Sequence, residues 1–204
     1  MPTAVLENPA LVTPPLFRRK VWTRAECEAL ESLEVFQGQN LELIEGELID
    51  RMGKGILHCV VVAMLQELFA GIFGLSYLMP EGVIDVRPED NPTSEPQPDL
   101  TLLLRKTSSY AKRRPGPADI RLLAEVADST LAFDLSIKAR LYARAGIAEY
   151  WVADTQRRQI HVHRDPAGGV YQSVNVYSAA EFVTPLAAPQ AQFRVSEAFP
   201  DSSG

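Results

Sequence analysis

The sequence predicts an α/β or α+β fold in which a central mixed β-sheet is flanked by helices. Short apolar runs bounded by turn residues recur along the chain, which is typical of strands. Longer segments carry helical start and stop signals or the apolar spacing of a helix face. One predicted helix lies between two apolar runs, as a crossover helix does when it joins two strands of one sheet.

The first elements are a helix and a hairpin. Thr23 followed by Glu26 forms a capping-box signature, so a short amphipathic helix is predicted through Leu33. Two short runs with apolar alternation, Leu41–Ile44 and Glu47–Asp50, then predict a hairpin.

A long helix and three strands follow the hairpin. From Leu57 to Ile72 the apolar residues have the three-and-four spacing of a buried helix face, and Gly74 is expected to end the helix. A proline-rich loop is predicted between Pro88 and Pro98. Strands are predicted over Gly82–Val86, Leu100–Leu104 and Arg121–Val126.

The second half of the chain predicts a crossover helix and further strands. The helix runs from about Asp134 to Ala145 and stops at Gly146. Tyr150 and Trp151 lie beside apolar residues and are expected to pack in the core. Strands are predicted over Glu149–Ala153, Gln159–His163 and Val170–Val176.

Length and composition favour one domain inside a cell. The 204 residues are 46% hydrophobic, so residues 18–204 are predicted to form one domain after a flexible, proline-rich leader, residues 1–17. The leader has neither a basic n-region nor a long apolar run, so no membrane partner is expected. Cys27 and Cys59 form no CxxC pair, which favours a reducing, cytoplasmic location. The formal net charge of -6 argues against broad, non-specific DNA binding.

Two acidic residues stand out by their places in predicted strands. Asp99 lies at the start of an apolar strand, directly after Pro98, where the alternative role is to initiate a turn. Glu125 interrupts an apolar strand, and burying a lone carboxylate is costly without a metal, a cation or hydrogen bonds. If the two strands are neighbours, both acids can converge on one hard divalent ion such as Mg²⁺.

Lys138 is the third candidate for the site. It lies one helical turn after Asp134, on the helix that follows the Glu125 strand, so its ammonium group could point back over the carboxylates. There it could orient the attacking water or stabilise developing negative charge. The alternative is a surface ion pair between Asp134 and Lys138, worth only about 0.2–0.5 kcal/mol.

The hairpin and the long helix supply candidate supporting residues. Glu42, Glu45 and Glu47 lie in the hairpin motif, where two of the three are expected to face solvent. Glu45 is taken as the supporting carboxylate of the hairpin that could help to hold a metal or a water, and Asp134 is a further supporting candidate. His58 opens the long helix, where it could approach the metal site or serve only as a cap.

Basic residues and a histidine pair offer further possibilities. His161 and His163 share one face of a strand, a spacing that can ligate a metal, but surface positions are expected because no third ligand is nearby. The loop between the two acid-bearing strands is the expected phosphate-contacting element, with solvated side chains as the alternative. Its basic residues are Arg105, Lys106, Lys112, Arg113 and Arg114, of which the last three are the candidate DNA contacts.

The chain resembles the Uma-two family of restriction endonucleases, a branch of the PD-(D/E)XK nuclease superfamily, over nearly its whole length. The resemblance depends on Leu41–Glu47, on Pro98–Leu100 and on the block Glu125–Asp134 leading to Lys138. It continues through Leu141–Val152, which is similar to the most recognisable stretch of the family.

The resemblance implies a restriction-endonuclease-like core with Asp99 and Glu125 as ligands of Mg²⁺ or Mn²⁺ and a nearby lysine completing the centre. DNA is the implied substrate. In the superfamily the lysine usually lies two residues after the second acid, a position held here by Ala127, so Lys138 is the substitute. Fold analogy further implies a homodimer, because enzymes that cut both strands commonly pair two copies.

Two other functions compete with Mg²⁺-dependent hydrolysis of DNA phosphodiester bonds. Ala127 and the negative net charge favour a DNA-binding or regulatory module that has the nuclease fold but weak or absent catalysis. Asp99 and Glu125 could instead act as the acid and base of a glycosidase. That reaction would be independent of metal, and the sequence lacks an aromatic-rich cleft signature for a sugar.

Overall fold

The N-terminal elements form a helix, a hairpin and a long helix in a computed structural model that describes residues 18–36, 38–51 and 54–201. The predicted leader, residues 1–17, lies outside the described residues. These first elements are helix α1 (Arg24–Glu31), strands β1 (Leu41–Ile44) and β2 (Glu47–Asp50), and helix α2 (Ile56–Phe73). The antiparallel pairing of β1 with β2 confirms the predicted hairpin.

A six-stranded mixed sheet with the order β3-β4-β5-β6-β7-β8 forms the centre of the fold. Only the β5–β6 pair is parallel, and the other neighbours in this sheet are antiparallel. The strands are β3 (Leu78–Pro80), β4 (Leu100–Leu103), β5 (Ile120–Ala127), β6 (Glu149–Asp154), β7 (Gln159–Ala167) and β8 (Val170–Tyr177). The predicted α+β class with a central mixed sheet is therefore confirmed.

The parallel pair is joined by a helical crossover, as predicted. This segment consists of α3 (Leu131–Phe133), a π-helical turn (Asp134–Lys138) and α4 (Ala139–Ala145). It therefore begins three residues earlier than predicted and is interrupted by a wider turn. A two-stranded sheet of β9 (Phe182–Val183) and β10 (Phe193–Arg194) completes the strands. Short 3-10 turns lie at Glu34–Phe36, Leu75–Tyr77, Asn91–Thr93, Thr107–Tyr110, Pro117–Asp119 and Val195–Ala198.

The helix ends follow local rules of the sequence. Thr23 and Glu26 form the reciprocal capping box that satisfies free amide groups at the start of α1. Gly74 ends α2 with φ +89°, and Gly146 ends α4 with φ +77°. Glycine adopts positive φ without the steric cost that a side chain would bring, so both residues stop their helices where predicted.

Two apolar layers cover the two faces of the central sheet. On one face, Val61, Leu65 and Phe69 of α2 pack with Trp151, and the rings of Phe69 and Trp151 meet edge to face at 5.5 Å. On the other face, Tyr150 packs against α4. Tyr150 and Trp151 are both buried, as predicted, and they point to opposite faces because side chains alternate along a strand.

Helix α2 is the one helix in the described ranges that is long and apolar enough to cross a bilayer by length and composition. Core helices of globular proteins meet the same criterion. Val61, Leu65 and Phe69 form a buried row along α2 that packs on the sheet, while Ile56 and Glu67 are exposed.

The predicted strand Gly82–Val86 is wrong. Ile84 and Val86 are buried, as the apolar alternation indicates, but the segment joins no sheet. The amide groups of Ile84 and Asp85 donate to the carbonyl oxygens of Pro96 and Pro115. Because proline has no amide hydrogen, these partners cannot return the bonds that a ladder needs, and the short strand β3 pairs with β4 instead.

The expectation that His161 and His163 are surface residues is wrong for His163. The His163 side chain is buried, with ring centroids 5.4 Å from Tyr150 and 5.6 Å from Tyr171. Helix α4 packs against β7 and β8 and covers this part of the sheet. His163 is therefore part of an aromatic layer rather than of a surface metal site.

Candidate active site

A cavity of about 300 Å³ lies where β4 and β5 meet the first turn of α2 and the π-helical turn. Its wall includes Asp99, Glu125 and Lys138, the three residues predicted to carry catalysis. All three are buried, with 2%, 2% and 3% of their surface exposed. Such burial requires each charge to be paired, and the contacts below provide the partners.

Asp99 is positioned by the end of the β4–β5 ladder. The pairing of the two strands begins at Leu100 and Ala124, and Pro98 has no amide hydrogen with which to extend it. Beyond this point, Oδ2 of Asp99 accepts a 2.9 Å hydrogen bond from the amide of Val126. The carboxylate thus replaces a strand carbonyl as the acceptor, which fixes its orientation.

Glu125 lies on the central strand β5, beside Asp99. Its Oε1 accepts hydrogen bonds from Lys138 Nζ at 2.9 Å and from the Tyr142 hydroxyl at 3.0 Å. Its Oε2 accepts a longer bond of 3.4 Å from the Asp99 amide. Burial acts to raise the pKa of Glu125 above its ordinary value, while the attraction of Lys138 acts to lower it and favours the charged carboxylate.

Lys138 reaches the carboxylates from the last position of the π-helical turn. Its Nζ lies 2.9 Å from Glu125 Oε1 and 3.0 Å from Glu42 Oε2. A surface ion pair with Asp134, the alternative from spacing, is therefore wrong, because Lys138 is buried and paired with these two glutamates. Burial alone would lower the pKa of Lys138, but Glu125 and Glu42 raise it above its ordinary value, so the amine stays protonated.

The hairpin contributes Glu42 to the cavity, and the prediction of Glu45 as the supporting carboxylate is wrong. Glu42 is 2% exposed, and its Oε1 accepts a 2.8 Å hydrogen bond from the Gln97 amide. Glu45 lies in the turn, where its carboxylate binds Arg144 at 2.6 Å, outside the cavity wall. Strand alternation carried the missing signal, since Glu42 and the buried Ile44 share one face of β1.

Three basic side chains approach the remaining oxygen of Asp99. Lys54 Nζ lies 2.8 Å and Arg51 Nη2 3.0 Å from Oδ1. His58 Nε2 lies 3.3 Å from the same Oδ1, close enough for an ion pair but not aligned for a hydrogen bond. The structure therefore places His58 near the site, one of the two positions expected for it. Burial acts to raise the pKa of Asp99, but His58 and Lys54 together hold it well below its ordinary value.

Asp134 is a buried member of the cavity wall. Its Oδ2 accepts a 2.6 Å hydrogen bond from the Thr130 hydroxyl, and its backbone carbonyl accepts one of 3.2 Å from Tyr150. Burial raises the pKa of Asp134 to about 6, although Lys138 acts in the opposite direction. Asp134 begins the π-helical turn that Lys138 ends, and such turns occur frequently at functional sites.

The basic loop between β4 and β5 does not enter the cavity. Lys112 is exposed, Arg113 binds Asp119 at 2.6 Å, and Arg114 binds Glu95 at 2.9 Å. None of Lys112, Arg113 and Arg114 belongs to the cavity wall, so the structure does not bring these candidate DNA contacts together with Asp99 and Glu125.

A larger cavity of about 680 Å³ lies between α1 and the β1–β2 hairpin. Its arginines, Arg24 and Arg114, are both paired with Glu95, and Arg24 also binds Asp85, so their charges are already neutralised by acids. The smaller cavity is the better candidate site because it collects the buried carboxylates and Lys138.

The donor set of the smaller cavity fits one hard divalent cation. Within residues 18–36, 38–51 and 54–201, no group of three or more His, Cys, Asp and Glu side chains forms a preformed metal cluster. Mg²⁺, however, commonly takes only one or two protein carboxylates and completes its shell with water and substrate phosphate. Asp99 and Glu125 supply carboxylate oxygens of this kind, side by side on neighbouring strands.

Asp99 at the start of β4 and Glu125 on β5 thus lie buried side by side in a mixed sheet, and Lys138 reaches them from the helical crossover, an arrangement expected of a restriction-endonuclease-like protein. The Uma2 family, described as "Putative restriction endonuclease", matches residues 26–196, and the chain belongs to this family. The resemblance stated from the sequence is therefore confirmed.

A solved structure shares the fold. It is titled "a putative nuclease belonging to DUF820" and comes from Anabaena variabilis, with a TM-score of 0.63 and 15% sequence identity. The similarity covers 85% of this chain and 96% of that chain. At this identity the match shows the fold alone. No curated protein matches the chain.

Proposed function

We propose that the protein is a metal-dependent endonuclease that hydrolyses DNA phosphodiester bonds, with Asp99, Glu125 and Lys138 as its catalytic residues. The observation that carries the proposal is the convergence of these side chains in one cavity, with Lys138 Nζ 2.9 Å from Glu125 and the Asp99 amide bonded to the same carboxylate. Membership in the Uma2 family supports the nuclease class.

Asp99 and Glu125 would hold Mg²⁺ or Mn²⁺. When bound, such a cation polarises a phosphoryl oxygen and lowers the pKa of a water. The protein's own part is to fix both carboxylates: Val126 orients Asp99, and Tyr142 orients Glu125. Orienting contacts of this kind hold a metal site in its productive geometry.

Lys138 would bind the reacting groups as a permanent cation. Lys138 can donate two of its three ammonium hydrogens to Glu125 and Glu42, and the third can bind a water or a phosphate oxygen. As a water oxygen forms its bond to phosphorus and the bond to the leaving oxygen breaks, negative charge on the phosphoryl group increases. A fixed ammonium stabilises that charge, whereas the raised pKa of Lys138 makes it a poor proton acceptor.

The second candidate function is that of a DNA-binding or regulatory module, which has the nuclease fold but no efficient catalysis. The observation in its favour is that Asp99 Oδ1 already carries two close basic partners, Lys54 and Arg51. A cation can use this oxygen only if these side chains move. Retained DNA affinity without cleavage would identify this function.

Two further proposals concern the whole protein. Fold analogy supports a homodimer, and composition supports a reducing, cytoplasmic location.

Cleavage of supercoiled and single-stranded DNA with Mg²⁺ or Mn²⁺ tests the proposal. Asp99→Asn and Glu125→Gln are expected to lower the cleavage rate by about 100- to 1,000-fold, since a metal contributes several kcal/mol to the stability of the transition state. Lys138→Met should lower it with less effect on metal affinity. The matched control is Glu89→Gln, an exposed acid outside the cavity, which should cleave like the wild type. Folded wild-type protein that cuts neither DNA with either metal would contradict the proposal.

A further inference from the structure

The two carboxylate oxygens of Asp99 have different kinds of hydrogen-bond partner. Oδ2 accepts a 2.9 Å hydrogen bond from the Val126 amide, a partner fixed by the strand, whereas the partners of Oδ1 are side chains that can move aside for a cation. Lys54 Nζ at 2.8 Å and Arg51 Nη2 at 3.0 Å approach this same Oδ1. The group that would bind a metal is therefore also the anchor of two basic side chains.

Arg51 and Lys54 belong to the cavity wall but are less buried than the acid that they contact. Their side chains are 10% and 18% exposed, against 3% for Asp99. Each also has a second partner, because Arg51 donates to Gln97 Oε1 at 3.1 Å and Lys54 pairs with the half-exposed Glu81. Long side chains with an alternative partner can leave Asp99 without abandoning every contact.

A divalent cation on Asp99 Oδ1 would stand at contact distance from an ammonium and a guanidinium group. Like charges repel at this range, and a partly buried site screens them weakly. Metal binding must therefore displace Lys54 and Arg51 from Oδ1. A nucleic-acid phosphate brings negative charge that can bind both the cation and the displaced basic groups.

Resting on the proposed function, we propose that Arg51 and Lys54 form the phosphate-binding pair of this site. Without metal, they neutralise Asp99. With metal bound, they turn to the unesterified oxygens of a DNA phosphate beside the scissile bond. A guanidinium group matches two phosphate oxygens with its planar fork, and an ammonium group adds a point charge.

The charge distribution of the molecule supports this assignment. The net charge is -6, and the exposed arginines of the β4–β5 loop, Arg113 and Arg114, are bound to acids outside the cavity. Phosphate neutralisation needs basic groups at the point of contact. Arg51 and Lys54 supply them at the cavity to which the proposed function assigns the DNA backbone.

The exchange makes metal binding and DNA binding support each other. Metal releases the pair for phosphate, and phosphate draws the pair away from Asp99, so each ligand should tighten the other by the same factor. Removing one basic side chain should then change the two affinities in opposite directions. A residue that only positions Asp99 would weaken both.

The experiment compares the wild type with Lys54→Met, which keeps the aliphatic stem, and with Lys20→Met as an exposed control outside the cavity. Calorimetry measures Mn²⁺ binding without DNA, and fluorescence anisotropy measures binding of a hydrolysis-resistant phosphorothioate duplex with and without Mn²⁺. In Lys54→Met, Mn²⁺ should bind several-fold more tightly. The duplex should bind about tenfold more weakly in Mn²⁺, because a hydrogen bond to a charged group contributes about this factor. Arg51→Met should behave alike, and Arg51→Lys should recover part of the duplex affinity.

Two results overturn the assignment alone. In one, Lys54→Met weakens Mn²⁺ and duplex binding together, as a positioning residue would. In the other, duplex affinity stays unchanged while the wild type binds Mn²⁺ through Asp99, as shown by loss of binding in Asp99→Asn. Wild-type protein that binds no Mn²⁺ overturns the assignment and the proposed metal-dependent function together.

Discussion

At the scale of single residues, the site is organised by one ammonium group between two buried carboxylates. Lys138 Nζ lies about equally far from Glu125 and Glu42, at 2.9 and 3.0 Å. The pair of acids keeps the amine charged, and the amine in turn stabilises two carboxylates that burial would otherwise penalise. Glu42 is therefore expected to act on catalysis through Lys138.

Glu42→Gln tests this coupling. Glutamine can still accept the Gln97 amide bond at the Oε1 position, but an amide NH2 group then replaces the charged acceptor Oε2 that faces Lys138. We expect cleavage to fall about 10- to 100-fold, the range typical of residues that orient a metal site, while the protein stays folded. Circular dichroism and the cleavage rate provide the measurements. Glu47→Gln, at an exposed acid of the same hairpin, is the matched control, and equal activity of both variants would exclude the role of Glu42.

The sequence predicted the residues whose own strand makes them conspicuous. Asp99 follows a proline at a strand start, and Glu125 interrupts an apolar strand, so local pattern was sufficient. Arg51 and Lys54 acquire their roles from Asp99, which lies more than 40 residues away in sequence. Such contacts leave no local signal in a single sequence.

At the scale of elements, the loop between β4 and β5 is organised by Asp119. Its carboxylate accepts hydrogen bonds from Arg113 at 2.6 and 3.0 Å and from the Gly116 amide at 3.0 Å. These bonds close the turn that returns the chain to β5. They also explain why Arg113, a predicted DNA contact, is bound within its own loop.

The Asp119 contact makes a prediction about pH. Arg113 lowers the pKa of Asp119 from 3.8 to about 2, with smaller help from Gly116. A lowered pKa in the folded state stabilises the protein above the ordinary pKa, and this contribution is lost as pH falls through about 2. Carbon NMR of the carboxyl group should therefore titrate near 2 in the wild type.

Arg113→Gln is the matched variant for this titration, because it removes the largest cause of the shift and leaves Asp119 in place. The midpoint of Asp119 should then rise towards 3.8, and the stability difference from the wild type should shrink as pH falls from about 4 to about 2. A titration midpoint that is the same in both proteins would show that Arg113 does not hold the carboxylate in solution.

Element boundaries show the limits of local pattern. Caps at Thr23, Gly74 and Gly146 were predicted because each depends on residues adjacent in sequence. The prediction of a strand over Gly82–Val86 was wrong because the amide groups of this segment donate to distant prolines. The π-helical turn was not predicted because its residues also occur in ordinary α-helices. Helix ends that depend on neighbouring residues were therefore predicted correctly, whereas a strand whose existence depends on distant hydrogen-bond partners was not.

At the scale of the whole molecule, the two apolar layers share one sheet. Leu65 of α2 packs on one face, Tyr142 of α4 packs on the other, and strand β5, which carries Glu125, contributes side chains to both. Helix α2 also carries His58 to the cavity, next to Lys54. Loss of packing under α2 should therefore disturb the site and the far layer together, as expected of one cooperative domain.

Leu65→Ala tests whether residues 18–204 unfold as that one unit. Leu65 is 1% exposed, so truncation should lower the free energy of unfolding by about 2–5 kcal/mol. Leu75→Ala removes the same atoms at a position that is 61% exposed and should change it by less than about 0.5 kcal/mol. In a Trp22→Phe background, where Trp151 of the α2 layer is the remaining tryptophan, fluorescence and far-ultraviolet circular dichroism should give coincident urea transitions in all three proteins. Separate transitions, with only the fluorescence one shifted in Leu65→Ala, would mean that the α2 layer unfolds independently and that the single-domain prediction is wrong.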